Sequence, residues 1–149
     1  MGLEDAIQQK RFRNVHLKGM VNILYTHSWL EERIKRFLMQ ENISMQQYNI
    51  LRILRGAKIP LSTMQIRERM LDRMSDTSRV VGRMLAKGIV EKKINKVDKR
   101  LVDVTITEKG LCILEKLDAN NDDLDGIVSN LSEPEMNLLN QLLDKLREG

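Results

Sequence analysis

Between Glu4 and about Gln40 the apolar positions recur at spacings of three and four: Leu17, Met20, Val21, Leu24, then Leu30, Ile34, Phe37 and Leu38, with no proline and one glycine, Gly19. That period predicts one or two long helices. It resumes in "NISMQQYNILRILRGAKIP", where Ser44 and Gln47 make a capping box, Tyr48, Leu51 and Leu54 share a face, and Gly56 followed by Pro60 ends the helix. Ser62 and Gln65 repeat the box in "LSTMQIRERML", opening a short helix to about Met70. "LDRMSD" reads as a turn, Ser75 or Asp76 as the cap of the next helix, "TSRVVGRMLAKG", which closes with Lys87 and Gly88. Two short helices with a tight polar connection, the second of them basic, are in helix-turn-helix order.

After Gly88 the period changes to two. "IVEKKIN" and "RLVDVTIT" flank the polar "KVDK", predicting a hairpin whose apolar faces include Val90, Ile94, Val102, Val104 and Ile106. A two-strand ribbon is rarely stable alone, so one placed directly after a helix-turn-helix is best read as a wing, its tip projecting with no apolar residue exposed. Thr107 then caps a long helix carrying Leu111, Leu114, Leu117, Leu124, Ile127 and Val128. Ser132 and Glu135 form a third box, with Pro134 in the first turn, for a last helix striped by Met136, Leu139, Leu142, Leu143 and Leu146. The expected fold is mainly α with a small antiparallel β-wing. It is one domain over 1–149, with a winged helix-turn-helix at 44–107 flanked by long dimerisation helices at 3–40 and 108–147.

Charge sharpens this picture. Residues 1–61 hold 10 Lys and Arg against 5 Asp and Glu, residues 62–100 hold 11 against 5, and residues 101–149 hold 4 against 11. A basic middle beside an acidic C-terminal third fits a polyanionic partner for the middle, the plainer alternative being a solvated mixed-sign surface. There is no run of 18 apolar residues, acids precede the first apolar stretch, and the one cysteine, Cys112, has no disulfide or zinc partner. A cytoplasmic protein with no membrane contact, metal or cofactor is expected.

A helical wheel of Thr77 to Lys87 puts Thr77, Val80, Val81, Met84 and Leu85 on one side and Ser75, Ser78, Arg79, Gly82 and Arg83 on the other or its flank. Arginine can grip guanine O6 and N7 together, hydroxyls reach phosphate or base, and a glycine lets the backbone approach the groove. The candidate DNA-binding residues are Ser75, Thr77, Ser78, Arg79 and Arg83 on this helix, with Lys96, Asp98, Lys99 and Arg100 at the wing. Asp98 is expected to pair with Arg100 or cap the turn, which leaves the groove contact to Arg100 or to Lys99. Catalytic residues are not expected: His16 and His27 lack partners, and no phosphate loop, nucleophile elbow or paired carboxylates occur. Cys112 reads as a plain buried thiol in preference to a redox sensor.

These residues resemble the MarR family of bacterial transcription regulators. "RVVGRMLAKGIVEK" is similar to that family's recognition helix and its exit, and "DKRLVDVTITEKG" to its wing, with Lys99 where arginine is usual and Gly82 where a polar residue is usual. The resemblance implies a sequence-specific regulator, homodimeric through its N- and C-terminal helices, on a palindromic operator in double-stranded DNA with half-sites about 34 Å apart or a multiple of that. It also implies a small-molecule effector seat around Met20, Tyr25, His27, Trp29 and Tyr48, although the same side chains fit an ordinary core. The alternative is a winged-helix protein-interaction module that turns its basic surface to an acidic partner. The operator, the target genes and the sign of regulation are not legible.

Overall fold

Asn14 accepts a hydrogen bond from the Leu17 amide through its side chain, starting a 24-residue helix that follows a single short turn of helix near the N-terminus. In the computed structural model, which describes residues 1–149, these are α1 (Leu3–Ala6) and α2 (Val15–Leu38). The chain divides into two compact units, Met1–Met45 and Gln46–Gly149. Within the first, Glu31 with Lys35 and Glu32 with Arg36 form ion pairs one turn apart on α2, with the acid on the N-terminal side as the helix dipole favours. Of the residues of α2 only Leu38 is buried, and Met20, Ile23, Leu24 and Tyr25 are exposed. The α2 residues proposed for the effector seat are therefore not core: Met20, Tyr25 and His27 face solvent, and Trp29 is half-buried beneath Arg33, whose guanidinium carbon lies 3.8 Å from the ring centroid.

The second unit begins with α3 (Met45–Ala57), which buries Gln47, Tyr48, Ile50, Leu51 and Leu54. The helix ends at Ala57, between Gly56 and Pro60, and Lys58, with φ 58°, takes the left-handed conformation. A strand too short to show a period follows, β1 (Leu61–Ser62), and Ser62 at once caps α4 (Thr63–Arg69) in a complete box with Gln65. Next come α5 (Thr77–Ala86), β2 (Val90–Ile94) and β3 (Val102–Ile106). The sheet order is β1-β3-β2, antiparallel throughout, so the expected hairpin is completed to three strands by Leu61 opposite Val104 and Ser62 opposite Asp103. Ile66, Val81, Met84, Ile89, Val90 and Val104 fill the core between sheet and helices.

Thr107 caps α6 (Glu108–Asp118) by accepting from the Gly110 amide, while its hydroxyl donates to the Gly88 carbonyl at 2.7 Å. This ties the exit of α5 to the start of α6. The single long helix expected here is broken. α7 (Asn121–Gly126) starts anew after Ala119–Asn120, because in "ANNDD" the Asn and Asp side chains compete with helical backbone bonds; Asn120 Nδ2 donates back to the Lys116 carbonyl. Cys112, expected to be buried, is exposed, since α6 turns Gly110, Ile113, Leu114 and Leu117 inward and Cys112 points away from them. The chain ends in α8 (Glu133–Arg147), started by the Ser132–Glu135 box with Pro134 in the first turn and holding no buried residue. No helix is long and apolar enough to cross a membrane.

Candidate nucleic-acid interface

The turn between α4 and α5 is fixed from two sides. Asn49 of α3 accepts from the Leu71 amide at 2.9 Å, and Asp72 accepts from the Met74 amide at 2.9 Å and from Gln46 Nε2 at 3.4 Å. Asp76 then caps α5 by accepting from the Arg79 amide at 3.3 Å. With its start held this way, α5 buries Thr77, Val80, Val81 and Met84 and leaves Ser78, Arg79, Gly82 and Arg83 exposed. A Cβ built on Gly82 would meet nothing within 4 Å, so the fold does not require a glycine there.

Two candidate residues do not reach the surface. Ser75 is 7% exposed and Thr77 3%, and neither hydroxyl has a hydrogen-bond partner. Ser75 precedes the Asp76 cap, where the chain is not helical, so a wheel extended back to it misplaces its side chain; Thr77 shares the face of Val80, Val81 and Met84. Both support the floor of an open groove of about 540 Å³, which Thr63, Met64 and Arg67 border from α4.

At the wing, Asn95 organises the loop. Its Oδ1 accepts from the amides of Val97 and Asp98, each at 2.8 Å, and its Nδ2 donates to the Asp103 carboxylate at 3.1 and 3.2 Å. Sequence reasoning passed over this residue, although an Asn at the start of a tight polar turn is the side chain that mimics a backbone turn. Asp98 accepts from the Arg100 backbone amide and from its guanidinium, Nε at 3.0 Å and Nη2 at 3.1 Å. The Arg100 side chain, and after it the Arg100 amide, hold the Asp98 carboxyl below its ordinary pKa, and Asp98 in turn raises that of Arg100. The fork orients a guanidinium that stays 89% exposed, so its remaining N–H groups are open to other acceptors, and Lys96 and Lys99 stand exposed beside it.

The tip is not free of exposed apolar side chains as expected. Ile94, Val97, Leu101 and Val102 are exposed, Val97 to 96%. The apolar face of the ribbon is covered at Val90 and Val104 but runs on past the body, where only two strands remain and nothing packs on it.

Helix-turn-helix, three-stranded sheet and flanking helices in this order have close structural counterparts. A MarR-like transcription regulator from Bacillus cereus superposes with a TM-score of 0.77 at 23% identity, over 88% of this chain and 94% of that one. The fold is that of MarR transcription regulators. A mutant MarR of E. coli, complexed with operator DNA, matches with a TM-score of 0.77 at 22% identity over 99% of both chains. The organohalide-sensing regulator RdhR in its 2,4-dichlorophenol-bound form matches with a TM-score of 0.82 at 21% identity, over 91% of this chain and 80% of that one. No protein-family model matches the chain, and no curated protein does. The MarR fold thus rests on backbone geometry.

Proposed function

We propose that this protein is a sequence-specific DNA-binding transcription regulator. It acts as a homodimer on a palindromic operator, with α5 in the major groove and the wing in the minor groove. One observation carries the reading: the outward face of α5 presents Ser78, Arg79, Gly82 and Arg83 with no apolar residue among them, beside a wing carrying Lys96, Lys99 and Arg100. Arg79 and Arg83 lie four residues apart on one face of the helix and supply planar donors for base edges or flanking phosphates. A protein-interaction helix would instead turn aromatic or aliphatic side chains outward at its centre.

The homodimer is supported by surface that one chain leaves open. Leu138, Leu139, Leu142 and Leu146 of α8 are exposed, and so, in the first unit, are Met20, Ile23 and Leu24 of α2. Apolar stripes of this kind on a soluble protein ordinarily mark a surface that another chain covers. A small-molecule response belongs to the same reading, supported by the phenol-bound state of RdhR.

Fluorescence anisotropy with random duplex at low and high salt tests the reading. Binding that weakens steeply with salt is expected, and no binding at low salt would sink it. Selection of bound duplexes from a random pool should then return an inverted repeat.

A further inference from the structure

The wing tip carries apolar side chains that its charges do not account for. Ile94 and Val102 form the last rung of the β2–β3 ladder, and Val97 and Leu101 lie in the loop beyond it. The loop is not slack: Asn95 fastens the Val97 and Asp98 amides, the Leu101 carbonyl accepts from the Asn95 amide at 3.0 Å, and Asp98 and Arg100 form their fork. Val97 is therefore held out in water, where an apolar side chain gains nothing for the isolated fold. Lys92, Lys93, Lys96 and Lys99 are exposed around it, whereas the nearby acids Asp98 and Asp103 are occupied with Arg100 and Asn95.

We propose that Val97, flanked by Ile94 and Leu101, is an apolar wedge that seats against the sugar edges of the DNA minor groove. The inference rests on the DNA-binding reading and adds to it an interaction that is not electrostatic. Lysines surrounding an aliphatic tip fit a groove with phosphates along both rims and an apolar wall of deoxyribose between them. Proteins that enter the minor groove often combine cations with an aliphatic side chain in this way. The lysines draw the tip to the polyanion and the valine contributes once water has been expelled.

The two contributions differ in their response to salt. With a duplex recovered by selection from a random pool, Val97→Ser should weaken binding by about tenfold at every salt concentration, as removal of a partly buried Val side chain predicts, with the log-log slope unchanged. Val97→Leu should keep the wild-type affinity, and Lys96→Ala should lower the slope by about 1. Dimethyl sulfate probing should show adenine N3, in the minor groove, losing protection in Val97→Ser, while guanine N7, in the major groove, stays protected. A Val97→Ser protein that binds like wild type, or one whose slope changes, overturns the wedge and leaves the DNA-binding reading standing. Wild-type protein that binds no duplex overturns both. Val97-dependent binding to vesicles of anionic phospholipid, with none to duplex, would assign the tip to a membrane surface instead.

Discussion

Gly110 and Gly82 show how one residue type serves two purposes. A Cβ on Gly110 would lie 2.4 Å from the Ile89 carbonyl oxygen and 2.8 Å from Ile106 Cγ1, so α6 passes the α5–β2 corner at a distance only glycine permits. Gly110→Ala should therefore destabilise the chain by about 1–3 kcal/mol through overpacking, read as a lower urea midpoint. Gly82 is surrounded by open space, so Gly82→Ala should leave the fold intact or raise its stability by up to about 1 kcal/mol. If the helix backbone lies close to DNA, the same change should weaken duplex binding; unaltered affinity would mean that α5 keeps its distance there. Arg79→Ala should weaken binding to the selected site by about 1–3 kcal/mol more than to random duplex if the guanidinium reads a base, and equally on both if it holds a phosphate. At this scale the helical period was informative for the outward arginines of α5, but not for Cys112 of α6, which is exposed although inside a regular helix. Arg79 and Arg83 are exposed as the wheel requires, whereas Ser75 lies outside the helix, so no helical period applied to it. Nor could any pattern foretell that Gly110 sits under the carbonyl of Ile89, a residue far back along the chain.

Among the elements, those with chemical punctuation were legible: the Ser62 and Ser132 boxes, the Asp76 and Thr107 caps and the left-handed Gly88 stand where capping and turn chemistry puts them. β1 was missed because two residues have no period; its existence depends on β3 arriving from far downstream. The break between α6 and α7 was overridden by a run of leucines, although the Asn and Asp between them carried the opposite signal. The wing's own behaviour follows from its ion pair. Replacing Lys99 and Arg100 together by alanine should lower the salt slope by about 1 for each phosphate no longer neutralised, while the recognition-helix preference survives. Asp98 adds a dependence on pH. Its pKa in the folded chain is depressed by Arg100, so the pairing contributes above the unfolded-state value and is lost as pH falls through the folded one. The Arg100 Nε–H resonance should thus show a bound position at neutral pH and move to that of a solvated guanidinium only below the ordinary carboxylate range.

Within the second unit, α8 carries an apolar stripe that the winged core does not bury. Since α8 has no buried residue, Leu139→Asp with Leu142→Asp should separate the proposed dimer without unfolding the second unit: sedimentation should report a monomer and circular dichroism a retained helix content. A double mutant that still sediments as a dimer would move the interface off this stripe. The sheet carries a further consequence for the proposed contact with DNA. β1 supports β3 only at Asp103 and Val104, and Ser62, which makes one of those pairings, is also the residue that starts α4. The third strand thus braces the wing one rung short of its Ile94–Val102 end and ties it there to the start of α4. The loop that carries Val97, one rung beyond that brace, is the least supported part of the sheet. If the wing enters a groove as proposed, differences in groove width from one binding site to another would be taken up in the loop before they tilt α5, and backbone amides should exchange with solvent fastest at the tip and slowest where β1 pairs with β3.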